Sequence, residues 1–263
     1  MSSVARKFRR QHLSSTPIGK EPPVLIVRPH KQEGFTCEAT SQFLSKAFKR
    51  GIADYKCMEA RTPDVARNLA ILEFLSNPIH AKKTHLFFLD DDSTPWNDFV
   101  IERLLSLDKP VIAGVTPIFR KKDAIDFKKI RMLMLGVVQN EPAQMDLYWS
   151  PILMKAGHLE HIGIDELPKT PFVAHRTGGT CLLIRRDVLE KLKPPYQKFE
   201  FDEQQIKLLR SEDIYFADQI REAGFPIWID PESICHHFHV LDILDMFAIA
   251  IQAKEMGKTG GKR

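Results

Sequence analysis

Strand-length apolar runs, set at regular intervals among helical windows, constrain this chain more than any other feature. VLIVRP (24–29) is a short run closed by Pro29, and the LFFL of HLFFLDDDSTP (85–95) reads as a strand buried on both faces. PVIAGV (110–115) repeats the pattern, and YKCMEA (55–60) is a more polar version of it. Between these runs, residues 38–50 predict a helix with Thr36 as its cap. Thr62-Pro63-Asp64 is a helix start: a capping hydroxyl, a proline at the first helical position and an acid in the first turn. That helix continues through Ala66, Leu69, Ala70, Leu72 and Phe74, and another runs from about Trp96 to Leu107. Strands alternating with helices of this length predict an α/β protein, with a mostly parallel sheet and helices on both faces.

The alternation breaks at 118–171, which holds a basic run (Arg120, Lys121, Lys122, Lys128, Lys129, Arg131) and a Trp149-Ser150-Pro151 turn. This stretch reads as an inserted loop or lobe. Order returns at GGTCLLIRRDVLEKL (178–192), a strand running into a helix. SEDIYFADQIREAG (211–224) predicts a helix capped by Ser211, with Glu212 and Asp213 in its first turn and Gly224 at its end. PIWID and SICHHFHV predict two further strands, and 241–256 a last helix. The expected organisation is a disordered basic tail (1–20), one main domain (21–240), and a C-terminal helix with a flexible tail (241–263).

A chain of 263 residues with 43% hydrophobic content can bury one good core. The net charge of +4 is unevenly spread, because Arg6, Lys7, Arg9, Arg10 and Lys20 fall in a segment without acids. No window offers ~18 consecutive apolar residues, so no integral membrane segment is expected. Cys37, Cys57, Cys181 and Cys235 form no CxxC pair, which fits a reduced, cytoplasmic-type protein. Neither GxGxxG nor GxxxxGK[ST] follows any strand, which removes the dinucleotide and P-loop fingerprints.

Ligands of open α/β sheets bind outside the carboxyl ends of the strands, and Asp90, Asp91 and Asp92 stand at such an end. If the strand stays extended there, Asp90 and Asp92 share a face and Asp91 points away. Two carboxylates on one face suit a hard divalent cation, while Asp-Ser-Thr-Pro is equally good turn chemistry. In ICHHFHV (234–240), His237 and His239 share a strand face. A histidine joining two aspartates favours Mn²⁺ over Ca²⁺, and a zinc site with Cys235 lacks the paired CxxC that would support it. Asp213 or Glu212 either complements a helix dipole or serves as a general base. Arg67 either pairs with a phosphate or is an exposed helix arginine, and Asn68 is placed to fix a loop.

Taken in order, VLIVRP, VARNLAI, HLFFLDDDSTPWNDFVIERLL, PVIAGVTP, TGGTCLLIRRDVLEKL and SEDIYFADQIREAGFPIWIDPESICHH resemble glycosyltransferases of the GT-A fold, most of all small members of the family 2 type. The resemblance spans about residues 24–240. It implies a Rossmann-like nucleotide-binding half with a smaller acceptor-side lobe, and a UDP- or GDP-sugar donor whose diphosphate is held by Mn²⁺ or Mg²⁺. By position, LDDD matches the DxD motif. Asp92 would ligate the metal, Asp90 would share it or contact the ribose, and His237 would be the third ligand, with His236 and His239 as substitutes. Pro29, Arg67, Asn68, Asp90 and Asp91 would border the nucleotide. Gly178 and Gly179 would let the backbone approach the sugar, and Asp213 would be the base, with Glu212 beside it.

The processive synthases of that family carry QxxRW and membrane helices. This chain has neither, which implies single additions to an unknown acceptor. Glu59 and Asp64 both stand where an acid would read the nucleobase, so UDP and GDP remain open. The alternative chemistry for the same Asp/His cluster is a metal-dependent phosphohydrolase or nuclease. A non-enzymatic alternative, not favoured, is nucleic-acid binding through the basic tail and the 118–131 patch.

Overall fold

The computed structural model describes residues 22–30, 38–60, 62–121, 145–204 and 207–238. The basic tail, Thr36, Cys37, Lys122 through Arg131, His239 and the expected last helix lie outside these residues. Strands β1 (Val24–His30), β2 (Ala53–Glu59), β3 (His85–Phe88), β4 (Ser93–Pro95) and β5 (Val111–Val115) alternate with helices α1 (Glu38–Lys49), α2 (Pro63–Ser76) and α3 (Val100–Ser106). A separate three-stranded antiparallel sheet follows, made of β6 (Pro117–Lys121), β7 (Met145–Lys155) and β8 (His158–Gly163). The chain then returns through β9 (Phe172–Ala174), β10 (Leu182–Arg185), the short α4 (Arg186–Leu189), the hairpin β11 (Glu200–Phe201) and β12 (Leu208–Arg210), α5 (Glu212–Glu222) and β13 (Ile227–His237).

The main sheet runs β2-β1-β3-β10-β5-β13-β4, with β9 also paired to β13. β2, β1, β3, β5 and β13 run the same way, whereas β10, β4 and β9 run against them. This is the expected mixed α/β class, a large and mostly parallel sheet with smaller sheets beside it.

Period-two alternation divides the core into two layers. Leu25, Val27, Leu86, Phe88, Val111, Ala113, Leu182 and Ile184 pack on one face with Ala70, Ile71 and Phe74 of α2 and Phe216, Ala217 and Ile220 of α5. Val24, Ile26, Phe87, Ile112 and Leu183 pack on the other face with Phe43, Leu44 and Ala47 of α1 and Val100, Ile101 and Leu104 of α3. Apolar side chains on both faces explain why these strands read as unbroken hydrophobic runs.

The structure corrects several boundaries. β3 ends at Phe88, so the aspartates sit in a turn and not on an extended strand. The helix expected from Trp96 begins at Val100, because Ser93–Pro95 is drawn into pairing with β13. PIWID and SICHH form one strand of 11 residues, not two. Pro231 is tolerated there because the register with β5 shifts between Ile229 and Ile234. Asp230, fully buried in that irregular stretch, is braced by Arg103 (Nη2 to Oδ1, 2.8 Å) and by the Ser233 hydroxyl at 2.6 Å. Gly114 allows the close approach of β5 to the same stretch, since a Cβ there would lie 2.2 Å from the Ser233 carbonyl oxygen. Among the described residues, no helix is long and apolar enough to cross a membrane.

Candidate active site

The turn after β3 and the N-terminus of α5 converge on Arg67. This arginine comes from the first turns of α2, where Pro63 and Asp64 start the helix. Thr62 holds the cap position without a side-chain cap bond. Arg67 is only 3% exposed, so the exposed-helix alternative fails. Its Nη2 donates to both oxygens of Asp90 (2.7 and 3.0 Å) and its Nη1 to Asp213 Oδ1 (2.6 Å). Glu212 Oε1 and Gln197 Oε1 lie 3.5 Å from Nη1. Burial alone would lower the guanidinium pKa, but Asp90 and Asp213 hold it above its ordinary value.

The carboxylates respond to the same environment. Burial and the neighbouring Asp213 push Glu212 up to about 7, against the attraction of Arg67. Burial also raises Asp213, opposed by Arg67 and by the Gly179 N–H that donates to its carboxylate. Both acids occupy the first turn of α5, where the helix dipole favours negative charge. Ser211 holds the cap position there, but its side chain makes no cap bond.

The three adjacent aspartates avoid mutual repulsion by facing three different cations or potential cations. Asp90 faces Arg67. Asp91 does not point away: its Oδ1 pairs with Arg28 Nε of β1 at 2.9 Å. Asp92 Oδ2 lies 3.5 Å from His237 Nε2. The turn, not a strand face, disperses them, and Thr40 of α1 anchors it by donating to the Ser93 carbonyl at 2.9 Å. Burial works against the charged forms of Asp92 and His237, but their mutual contact leaves Asp92 below and His237 above its ordinary value.

The remaining expected residues fall as follows. Asn68 uses its whole amide as a loop brace: its oxygen accepts from the N–H groups of Tyr196 (2.8 Å) and Gln197 (3.1 Å), and its nitrogen donates to the Asp64 and Gln197 carbonyls. Pro29 is buried near the end of β1. Gly179 is required by Arg67 and Asp213, since a Cβ there would lie 2.4 Å from Asp213 Oδ1 and 2.6 Å from Arg67 Cζ. Gly178 meets only Ser150 Cβ, at 3.8 Å. His236 turns away from the aspartates and stacks on Trp96.

Sequence reasoning missed Arg28, Gln197 and Thr180, whose hydroxyl accepts from the Asp90 N–H at 3.1 Å. Arg28 carried a signal, a lone charge inside an apolar run. Gln197 carried none.

The fit to a divalent cation is partial. His237 Nδ1 faces the Pro117 carbonyl at 3.4 Å, a partner that would hold the Nδ1–H and free Nε2, now against Asp92, to ligate a cation. Asp92 and His237 therefore form a two-ligand edge. Asp90, expected to share the ion, is engaged by Arg67 instead, and no group of three His, Cys, Asp or Glu side chains among the described residues is arranged to hold a metal ion. A cation here would need the rest of its shell from water or from a ligand's oxygens.

No family model and no curated protein matches the chain. Among solved structures, it is similar to A197 from STIV, with 18% identity, a TM-score of 0.50, and 82% of this chain and 86% of that one covered. It also aligns with GalNAc-T7 solved with UDP, GalNAc and Mn²⁺, at 10% identity and a TM-score of 0.45. That alignment covers 89% of this chain but 48% of the other, too loose a match to bear on the site. The likeness is one of fold: the GT-A-like architecture stands, while the family 2 placement rests on its motifs alone.

Proposed function

We propose that the protein is a metal-dependent glycosyltransferase of the family 2 type, moving a sugar from a UDP- or GDP-sugar to an acceptor hydroxyl one unit at a time. The observation that carries this reading is the double grip of buried Arg67 on Asp90 and Asp213. It brings the DxD-like turn and the acid-bearing helix, the two most telling motifs of the resemblance, into one cluster at the carboxyl end of the sheet. Arg67 faces three carboxylates, so the cluster carries excess negative charge suited to a cation-bound diphosphate. Asp92 and His237 would hold Mn²⁺ or Mg²⁺, which when bound supplies Lewis-acid stabilisation of the departing diphosphate.

The chain's own residues supply the rest. Asp213, fixed by Arg67 and the Gly179 N–H, is the base for the acceptor hydroxyl. Glu212, near neutrality in its pKa, stands beside it as a proton reservoir. Arg28 and Asp91 pair at the rim where the nucleoside would lie.

A thermal-shift screen of UDP and GDP with Mn²⁺, with Mg²⁺ and with EDTA tests the reading. A nucleotide at ~100-fold over its dissociation constant stabilises by about 2.7 kcal/mol, and the shift should require metal. An equal shift in EDTA would sink the shared-metal reading. Asp92→Ala and His237→Ala should each remove the metal-dependent part. Turnover of a phosphodiester, with nucleotide sugars left intact, would replace transfer by phosphoester hydrolysis.

A further inference from the structure

Ile229 and Ile234 both pair with β5, and both pack against the core layer shared with α2 and α5, although they stand five residues apart. In a regular strand an odd separation puts two side chains on opposite faces. The phase is inverted because β13 advances from Ile229 to Ile234 while β5 advances only from Ala113 to Val115, which leaves three extra residues within 230–233. Before this bulge β13 pairs with β9, and after it with β4. The ladder with β4 is regular: Cys235, His236 and His237 stand opposite Pro95, Thr94 and Ser93. Neighbours along it alternate, so the phase set at the bulge decides which histidine turns to Asp92. As the strand stands, His237 Nε2 lies 3.5 Å from Asp92 Oδ2, and His236 stacks on Trp96 with ring centroids 4.8 Å apart. One residue more or fewer in the bulge would exchange the two.

The bulge is clamped by one side chain from outside the site. Arg103 belongs to α3, which packs on the sheet face opposite α2 and α5, the helices of Arg67 and Asp213. Its Nη2 donates to Asp230 Oδ1 at 2.8 Å and its Nε to the other oxygen of the same carboxylate. Its Nη1 pairs with Glu232 Oε2 at 2.9 Å. The Ser233 hydroxyl closes back on Asp230 Oδ2 at 2.6 Å. Asp230 is fully buried, so its charge relies on these partners. The Ser233 carbonyl is seated over Gly114, where any side chain would collide with it. Arg103 therefore holds two residues of the bulge directly and a third through Asp230.

We propose that Arg103 is a positioning residue: by fixing the three-residue bulge, it sets the phase of β13 that presents His237, and not His236, to Asp92. A lysine could neutralise Asp230, but it lacks the planar fork that spans Asp230 and Glu232 together. The value of this phase to the reaction rests on the glycosyl-transfer reading, in which Asp92 and His237 hold the cation. The phase itself does not depend on that reading.

The first arm of the test needs neither metal nor nucleotide. An indole stacked on His236 moves that histidine's ring protons upfield, so NMR of the histidine-labelled full chain reports the phase, with the signal identified by its loss in His236→Gln. Arg103→Met should lose this shift or pass it to His237, and Arg103→Lys should keep more of it than Met does. Ser233→Ala removes a single bond of the clamp and should weaken the same signal, which decides the matter if Arg103→Met does not fold. Ile71→Ala opens a cavity in the core beneath α2, far from the clamp in the chain, and should destabilise the fold while leaving the shift in place. In the second arm, Mn²⁺ affinity in the presence of UDP should fall ~10-fold or more in Arg103→Met and stay near wild type in Ile71→Ala. The proposal is overturned if a folded Arg103→Met keeps the full His236 shift, if Ser233→Ala does so where Arg103→Met is unfolded, or if Ile71→Ala removes the shift as well. A wild-type chain that binds no UDP with Mn²⁺ would refute glycosyl transfer, and the first arm would still decide the role of Arg103.

Discussion

Arg67 and Asp213 lie 146 residues apart in sequence, yet the guanidinium Nη1 meets the carboxylate oxygen at 2.6 Å. The same guanidinium grips Asp90 with its other terminal nitrogen. A lysine cannot make both contacts, because it lacks the planar fork. Arg67→Lys should therefore lose one partner, and Arg67→Met both, leaving Asp90, Asp213 and Glu212 without a counter-charge. Breaking a buried pair in this way costs about 3 kcal/mol or more. Urea unfolding should show Arg67→Met destabilised by that order and Arg67→Lys by less. A Met variant within ~0.5 kcal/mol of wild type would mean the cluster is not held by this residue.

Glycine at 179 and glycine at 178 should respond differently to one methyl group. A Cβ at 179 would fall inside contact distance of both Arg67 and Asp213, whereas one at 178 would meet Ser150 at an ordinary separation. Gly179→Ala should displace the Arg67–Asp213 contact, costing about 1–3 kcal/mol by overpacking and removing nucleotide-dependent activity. Gly178→Ala should be near neutral in both measurements. Equal effects at the two positions would show that the loop itself, not the grip on Arg67, requires glycine.

Glu212 makes stability depend on pH in a defined direction. Its folded-state pKa is about 7, above the ordinary 4.5, so the native state keeps a proton that the unfolded chain has already released. Its stabilising contribution is complete below pH ~4.5 and is lost as pH rises through 7. Glu212→Gln removes the titration. The variant should gain on the wild type between pH 5 and 8, by on the order of 1–3 kcal/mol, with no further change above. Melting temperatures of the two chains at pH 5, 6, 7 and 8 check this. A constant difference across the series would show that Glu212 titrates normally.

The parts of the fold that sequence made legible are those where one physical signal dominates. The double-sided burial of Leu86, Phe87 and Phe88 announced β3, and Thr62-Pro63-Asp64 announced α2. What stayed hidden depends on partners distant in the chain. β4 exists because β13 pairs with it, and its three residues look like turn chemistry in isolation. That β10 runs against its neighbours follows from chain routing, which its apolar composition does not record. At the site, residue types were legible and their pairings were not. The aspartate run suggested one shared cation, but a turn divides it among Arg28, Arg67 and His237. Gly179 looked like room for a ligand and is room for Arg67 and Asp213.

The role of Asp213 can be separated from that of Arg67 by an isosteric change. If the reaction inverts the anomeric centre, the acceptor hydroxyl must lose its proton as it attacks, and a carboxylate in reach typically contributes ~10²–10⁴-fold. Asp213 is about one quarter exposed (27%) while its Oδ1 is fixed by Arg67, so the carboxylate is held in place yet reachable. Its raised pKa, caused by burial and partly offset by Arg67, strengthens it as a base. Asp213→Asn keeps the shape and a hydrogen-bonding oxygen for Arg67 but removes the basic site. Donor and Mn²⁺ affinity should stay near wild type while transfer falls by at least ~10²-fold, a loss in kcat and not in KM for the donor. A retaining reaction needs no such base, and NMR of the product anomer tells the two apart. Full transfer in Asp213→Asn, with inversion, would move the base to Glu212, whose pKa of about 7 places it next in line.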